Sequence, residues 1–155
     1  MASANGARRA GHGAGLASEL RNWAEGTARA RAAVELLLAG VGGRLAYRGA
    51  PWVERLGVGA DGRAYARIDP AKLAAGSGPL SSGERLVAKV VANLLDDQTF
   101  VPLADLSRLD FGQARLVLGA LRTAAGLPAP ATARPAAALP PPAPRAGRPG
   151  AGIGM

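Results

Sequence analysis

The sequence predicts an α-dominated (α+β) fold: a small helical domain over residues 16–126 with one β-hairpin, flanked by disordered termini. Three observations support this prediction. Apolar residues recur with a helical period in two long stretches, residues 16–41 and 80–126. An Asp-Gly pair at residues 61–62 precedes a stretch with a period of two, which is typical of a hairpin. Both ends consist mainly of Gly, Ala, Arg and Pro and lack an apolar period.

The first helical stretch covers residues 16–41, where apolar side chains recur about every 3.6 residues. Ser18 is a candidate N-cap, and residues 1–15 ahead of it are predicted to be a disordered tail. Glu25 and Arg29 have the spacing of an i, i+4 ion pair on the outer face. Gly26 weakens a helix by about 1 kcal/mol relative to alanine, so the stretch is either one helix or two.

The middle of the chain predicts the hairpin, over residues 56–68. Its second strand, residues 64–68, alternates polar and apolar side chains, and residues 56–58 are its predicted partner. Residues 51–58 remain open between a strand and one helical turn, because Pro51 also suits the start of a helix. Asp69 followed by Pro70 predicts a cap and the first turn of a short helix.

The second helical stretch has the strongest local signals. Ser81 and Glu84 form a capping-box pattern ahead of an apolar stripe that ends at Leu95. Residues 103–108 predict a short helix, and Asp110 predicts the cap of a second long helix that ends near Gly126. One face of that helix is apolar: Phe111, Ala114, Val117, Leu118 and Leu121. We expect the two apolar faces to pack on each other and on the upstream region.

The order long helix, extended piece, short helix and long helix also resembles a helix-turn-helix or winged-helix domain. In that interpretation the last helix reads DNA, and its candidate contacts are Gln113, Arg115 and Arg122. Residues 80–126 carry five basic and five acidic side chains, so this segment offers little net charge for phosphates. Nucleic-acid binding is therefore the alternative function.

Residues 80–126 also resemble segments of uncharacterised actinobacterial proteins. The shared features are the S-x-G-E start at Ser81, the Leu-Asp pair before the last helix, and the Ala-Ala-Gly end at Gly126. The resemblance covers about a third of the chain and implies a compact helical fold without implying an activity.

The formal net charge is +8, but the excess lies in the flanks. Residues 1–79 contribute +5 and residues 127–155 contribute +3. Of the nineteen basic residues only Lys72 and Lys89 are lysines, and Ala, Arg, Gly and Pro abound, all of which have GC-rich codons. Coding bias therefore accounts for the charge without a ligand. Residues 127–155 hold eight prolines and predict a second disordered tail.

The chain offers few groups for catalysis. It has no cysteine, and its one histidine, His12, lies in the predicted N-terminal tail. No G-x-x-x-x-G-K-[ST] phosphate loop is present. The sequence therefore predicts no catalytic residue, cofactor or metal ligand. Without a secretory signal or an apolar run long enough to cross a bilayer, it predicts a cytoplasmic protein that does not enter membranes.

The composition and the patterns together favour a non-catalytic helical protein-interaction module. Its partner is expected to be another protein or a second copy of the chain. The alternative is a nucleic-acid-binding protein with a winged-helix-like core and basic flanks.

Overall fold

The computed structural model describes the backbone of residues 5–128 and the side chains of residues 15–128. Five α-helices and one two-stranded antiparallel sheet make up this region, which confirms the predicted helical α+β class. The elements are α1 (Asn5–Ala24), α2 (Ala28–Ala39), β1 (Val53–Val58), β2 (Ala64–Ile68), α3 (Pro70–Gly76), α4 (Ser82–Leu95) and α5 (Phe111–Ala124), with 3₁₀ turns at Gly40–Gly43 and Leu103–Arg108.

The structure describes residues 5–15 of the first predicted tail but only residues 127–128 of the second. The backbone of residues 5–15 belongs to α1, so Ser18 lies inside that helix and does not cap it. Residues 5–15 include three alanines and two arginines, which have high intrinsic helix propensities, and four glycines, which have a low one. Residues 1–4 and 129–155 lie outside the described part of the chain, and the disorder predicted there stays a prediction.

The first helical stretch is two helices, because it breaks at Glu25–Thr27. Thr27 caps α2, and its hydroxyl accepts the Ala30 amide at 3.2 Å. The predicted pair between Glu25 and Arg29 does not form, since the break places the two side chains on different surfaces. Glu25 instead binds Arg63 at 2.6 Å, and Arg29 binds Asp97 at 2.7 Å.

α2 is the central helix of the fold. It contacts α1 on one side and packs against both α4 and α5, and each of these two contacts is more extensive than that between α4 and α5. The two helices contact each other and the upstream region, as the sequence predicts, and α2 supplies the larger contact to each of them. Five residues of α2 are buried: Ala32, Ala33, Val34, Leu36 and Leu37. The two alanines and the valine in this set are small, and they let neighbouring helices approach closely.

The hairpin forms where the sequence predicts it, and β1 extends back to Val53. Residues 53–58 are therefore strand, which resolves the alternative of a helical turn. The register shifts between Arg55 and Gly57, and Gly57 adopts a φ of +89° that favours glycine at this bulge. β2 buries Ala66 and Ile68 and packs on α1.

Several polar contacts join α1 and the residue that follows it to the hairpin. The Glu19 carboxylate, which is 7% exposed, accepts the Arg55 Nε–H at 3.0 Å and also binds its Nη2 group. The Asn22 amide donates to the Ala64 carbonyl at 2.9 Å. Arg63 pairs with Glu25 and also donates to the side-chain oxygen of Asn22. Because these partners are far apart in sequence, they fix the hairpin on α1 only in the folded state.

We expect Arg55→Ala to destabilise the fold, because it leaves the buried Glu19 carboxylate without its guanidinium donors. An unsatisfied buried group of this kind costs about 1–3 kcal/mol. Arg67→Ala is the matched control, because its partner Glu54 is half exposed, and surface pairs contribute about 0–1 kcal/mol. Urea unfolding followed by circular dichroism measures both. Equal effects would contradict a structural role for the Glu19 pair.

The remaining helices begin and end at the predicted residues. The capping box of Ser81 and Glu84 is complete in both directions at α4. Asp69 and Asp110 cap α3 and α5 through hydrogen bonds of 3.0 and 2.8 Å from backbone amides. Gly126 has a φ of +69° and ends α5 with the two hydrogen bonds of a Schellman motif.

An arginine from α2 closes the other end of α4. Arg29 donates to the carbonyls of Leu94 and Asn93 at 3.2 and 3.1 Å, the last turn of the helix. A cation is favourable there because the helix dipole places partial negative charge at its C-terminus. The same guanidinium binds Asp97, so it also compensates a carboxylate that is unfavourable at this position.

Candidate functional site

The outer side of α5 carries a stripe of apolar and basic side chains. Phe111, Arg115, Leu118 and Arg122 follow at i, i+4, i+7 and i+11, which places them along one line of a helix. Phe111 is 80% exposed and Leu118 is 59% exposed. We call these four residues the α5 stripe. A soluble domain rarely exposes apolar side chains in such a row without a use for them.

The α5 stripe corrects the predicted burial of this helix. Phe111 and Leu118 were expected to face the core together with Val117, but only Val117 and Ala120 are buried. The contact with α2 passes through these two smaller side chains, since α2 is itself lined with small residues and draws α5 close. The buried arc is therefore rotated away from the most apolar arc of the helix.

Arg115 lies over the ring of Phe111, with its guanidinium carbon 5.9 Å from the ring centroid. This cation–π contact contributes about 0.5–1 kcal/mol at an exposed site. It restricts the Phe111 ring before any partner is bound. An aromatic side chain that is already ordered loses less entropy on association.

A groove of about 870 Å³ runs beside the stripe, between the end of α1, the outer face of α2 and α5. Small side chains line much of it, including Ala32, Ala39 and Gly119, and Gly119 has open space in front of it. The charged residues that line the groove are four arginines and two glutamates: Arg21, Arg31, Arg63, Arg115, Glu25 and Glu35.

The charges of the groove do not cancel. Arg21 binds Glu35 through two hydrogen bonds of 2.6 and 3.0 Å, and Arg63 binds Glu25. Within residues 15–128, Arg31 and Arg115 have no carboxylate within ion-pair distance. The groove therefore presents two uncompensated guanidinium groups next to a floor of small residues.

Four carboxyl groups in the described region have a pKa below the ordinary value, each because a hydrogen-bond donor or cation favours the ionised form. The Arg21 guanidinium lowers the pKa of Glu35, and the Tyr65 hydroxyl lowers the pKa of Asp61. The backbone amides of Lys72 and Ser81 lower the pKa of Asp69 and of Glu84, respectively. The folded state therefore binds fewer protons than the unfolded state when the pH approaches these values.

We expect thermal stability to fall in acid. The lowered pKa values of the four carboxyl groups give stability that is fully present above about pH 5 and is lost as the pH falls through the folded-state values. Thermal melts between pH 7 and pH 2.5 measure this. Glu35→Gln removes one of the four groups and should make the acid decline shallower, whereas an unchanged or rising Tm in acid would contradict the assignment.

The three candidate nucleic-acid contacts do not share one surface. The Gln113 side chain is half-buried and lies over Gly83 of α4. Arg115 projects from the opposite side of α5, on the rim of the groove. Arg122 is on the same side as Arg115, but its guanidinium donates to the Pro128 carbonyl. A DNA-reading surface made of all three residues would require Gln113 to leave its contact with α4.

The hairpin also bears on the winged-helix alternative. It precedes α3, α4 and α5 in the chain and packs on α1. The hairpin therefore lies beside the first helix of the domain. The candidate reading helix α5 packs instead against α2.

Few polar side chains are buried in the described part of the chain. In residues 15–128, two polar side chains are buried, Glu19 and Ser77. Glu19 is paired with Arg55, and the Ser77 hydroxyl donates to the Ala74 carbonyl at 2.8 Å. No cluster of three or more potential metal ligands occurs among the residues that the structure describes. The side chain of His12 lies outside that part.

None of the helices in the described region is both long and apolar enough to cross a membrane. The sequence alone predicts neither the α5 stripe nor the groove. The i, i+4, i+7, i+11 alternation of apolar and basic residues on α5 is visible in it, but nothing local shows which arc of the helix faces α2.

No family model, curated protein or solved structure matches the chain.

Proposed function

We propose that this chain is a non-catalytic helical protein-interaction module that binds its partner through the α5 stripe. The observation that carries the proposal is the exposure of Phe111 and Leu118 on a helix whose other side is anchored in the core. Aromatic and arginine side chains are enriched in the energetically dominant parts of interfaces. The stripe supplies both types on a rigid element, so binding would order few groups.

Site-specific photo-crosslinking in the native cell tests this proposal. A photoreactive benzoylphenylalanine replaces Leu118 in the full-length chain, and the same group replaces Val58, an exposed apolar residue of the hairpin, as the matched control. We expect a discrete adduct from position 118 and not from position 58. The adduct identifies the partner as another protein or a second copy of the chain.

The adduct supports the proposal only if the purified partner binds the purified chain. We expect Phe111→Ser with Leu118→Ser to weaken that affinity by at least about tenfold, because each removes an exposed apolar contact. Val58→Ser should leave it unchanged. Equal adducts from both positions, or an affinity that the double substitution does not change, would refute the proposal.

Nucleic-acid binding is the second candidate, favoured by one observation: Arg115 and Arg122 lie on one side of α5 with no carboxylate partner in the described region. Titration of duplex DNA into the full-length chain at two salt concentrations distinguishes it. Micromolar binding with a steep loss at higher salt, reduced by Arg115→Ala, would favour this function. Under the interaction proposal we expect weak binding that Arg115→Ala does not change.

A further inference from the structure

We infer that the partner presents an acidic amphipathic helix, which lays its apolar side in the groove between α1 and α5. Its carboxylates would pair with Arg31 and Arg115. This inference rests on the proposed interaction function and specifies the chemistry of the partner. Two properties of the groove carry it: its shape and its charge.

The shape suits a helix. The groove follows α2 and α5, two helices of the core, and its walls are rigid elements. Ala32, Ala39 and Gly119 offer little side-chain bulk, and a Cβ atom added at Gly119 would meet nothing within 4 Å. A partner backbone can therefore approach closely here. Amphipathic helices bind such grooves through apolar anchors spaced at i, i+3 or i+4, and i+7.

The charge selects an acidic ligand. Glu35 and Glu25 are already held by Arg21 and Arg63, while Arg31 and Arg115 are exposed and lack a carboxylate in residues 15–128. A carboxylate brought beside an arginine gains charge-assisted hydrogen bonds, which a basic or neutral helix cannot supply. Complementary charge on the rim of an interface mainly sets specificity and association rate.

The charge of the groove argues against a second copy as the occupant. Its lining carries four arginines and two glutamates, and a symmetric contact through this surface would bring one cationic groove against another. Like charges brought together in an interface oppose association. An acidic partner meets the same groups with attraction, and so the groove favours a different protein.

Three designed peptides test the inference against the full-length chain. Each is an end-capped amphipathic helix with leucine at helical spacing on one side, and the remaining positions are glutamate-rich, lysine-rich or glutamine-rich. Fluorescence anisotropy measures each dissociation constant at low and at physiological salt. We expect the glutamate-rich peptide to bind at least about tenfold more tightly than the other two, with an affinity that falls as salt screens the charges.

Variants of the chain locate the binding. Arg31→Glu with Arg115→Glu should weaken the glutamate-rich peptide by at least about tenfold. Gly119→Leu fills the groove without a change of charge and should weaken it as well. Arg48→Glu is the control, because Arg48 is exposed and lies outside the groove. A circular dichroism melt of each variant establishes that it is folded.

The outcomes separate this inference from the proposed function. Equal binding of all three peptides, or an affinity that neither Gly119→Leu nor the double arginine substitution changes, would overturn the inference. So would the absence of binding by the glutamate-rich peptide. If a partner crosslinked at position 118 nevertheless binds, the interaction function stands and only the acidic helix is refuted.

Discussion

Leu37→Ala is expected to lower the free energy of unfolding by about 3–5 kcal/mol, the upper part of the range for leucine truncations in cores. Leu37 is fully buried in α2, the helix that contacts α1, α4 and α5. The helices around Leu37 are also held by other contacts, so they cannot move far into the cavity that the substitution leaves. Little of the lost stability is therefore recovered. Urea unfolding followed by circular dichroism measures the loss.

Leu118→Ala is the matched control for this prediction, because it removes the same atoms from an exposed position of α5. Surface substitutions of this kind usually change stability by less than about 0.5 kcal/mol. A loss at Leu37 no larger than that at Leu118 would show that α2 is not the centre of the core.

Trp52→Ala is expected to cost about 3–5 kcal/mol, because it removes the largest buried ring in the described region. The Trp52 ring is 5% exposed and meets Tyr47 edge to face, with centroids 6.0 Å apart. Its indole N–H donates to the Leu45 carbonyl at 2.8 Å. Gly76 lies so close that a Cβ atom added there would be 3.0 Å from the ring. The side chain thus connects the turn before the hairpin to α3.

Trp52→Phe distinguishes the contribution of the packed ring from that of the indole hydrogen bond. It keeps an aromatic ring in place but leaves the Leu45 carbonyl without its donor, and an unsatisfied buried acceptor costs about 1–3 kcal/mol. We therefore expect the free energy of unfolding of Trp52→Phe to lie between those of the wild type and of Trp52→Ala. Guanidinium unfolding monitored at 222 nm gives the order of the three proteins. An alanine variant as stable as the phenylalanine variant would contradict the packing role.

The local elements were predictable because their signals lie within a few residues. Ser81 and Glu84 satisfy each other's backbone amides, Asp69 and Asp110 cap the helices that follow them, and Gly126 supplies a positive φ at a helix end. Each depends on neighbours in sequence. The hairpin after Asp61 belongs to the same class, since turn and alternation are both local.

The packing was not predictable in the same way. Which arc of α5 faces the core depends on α2, about eighty residues upstream, so Phe111 and Leu118 were expected inside although they are exposed. The partners of Arg29 and Glu25 are likewise distant in sequence. The groove is produced by three helices together, and no single stretch of sequence contains it.

The orientation of α5 is the claim on which the interaction surface depends, and the chain has no cysteine that would interfere with a direct test. Leu118→Cys and Val117→Cys place a thiol at neighbouring positions of the same helix, and the rate of reaction with a maleimide measures the exposure of each. The structure predicts rapid labelling at position 118 and labelling slower by at least about tenfold at position 117, because Val117 is buried. Equal rates, or faster labelling at position 117, would contradict the account.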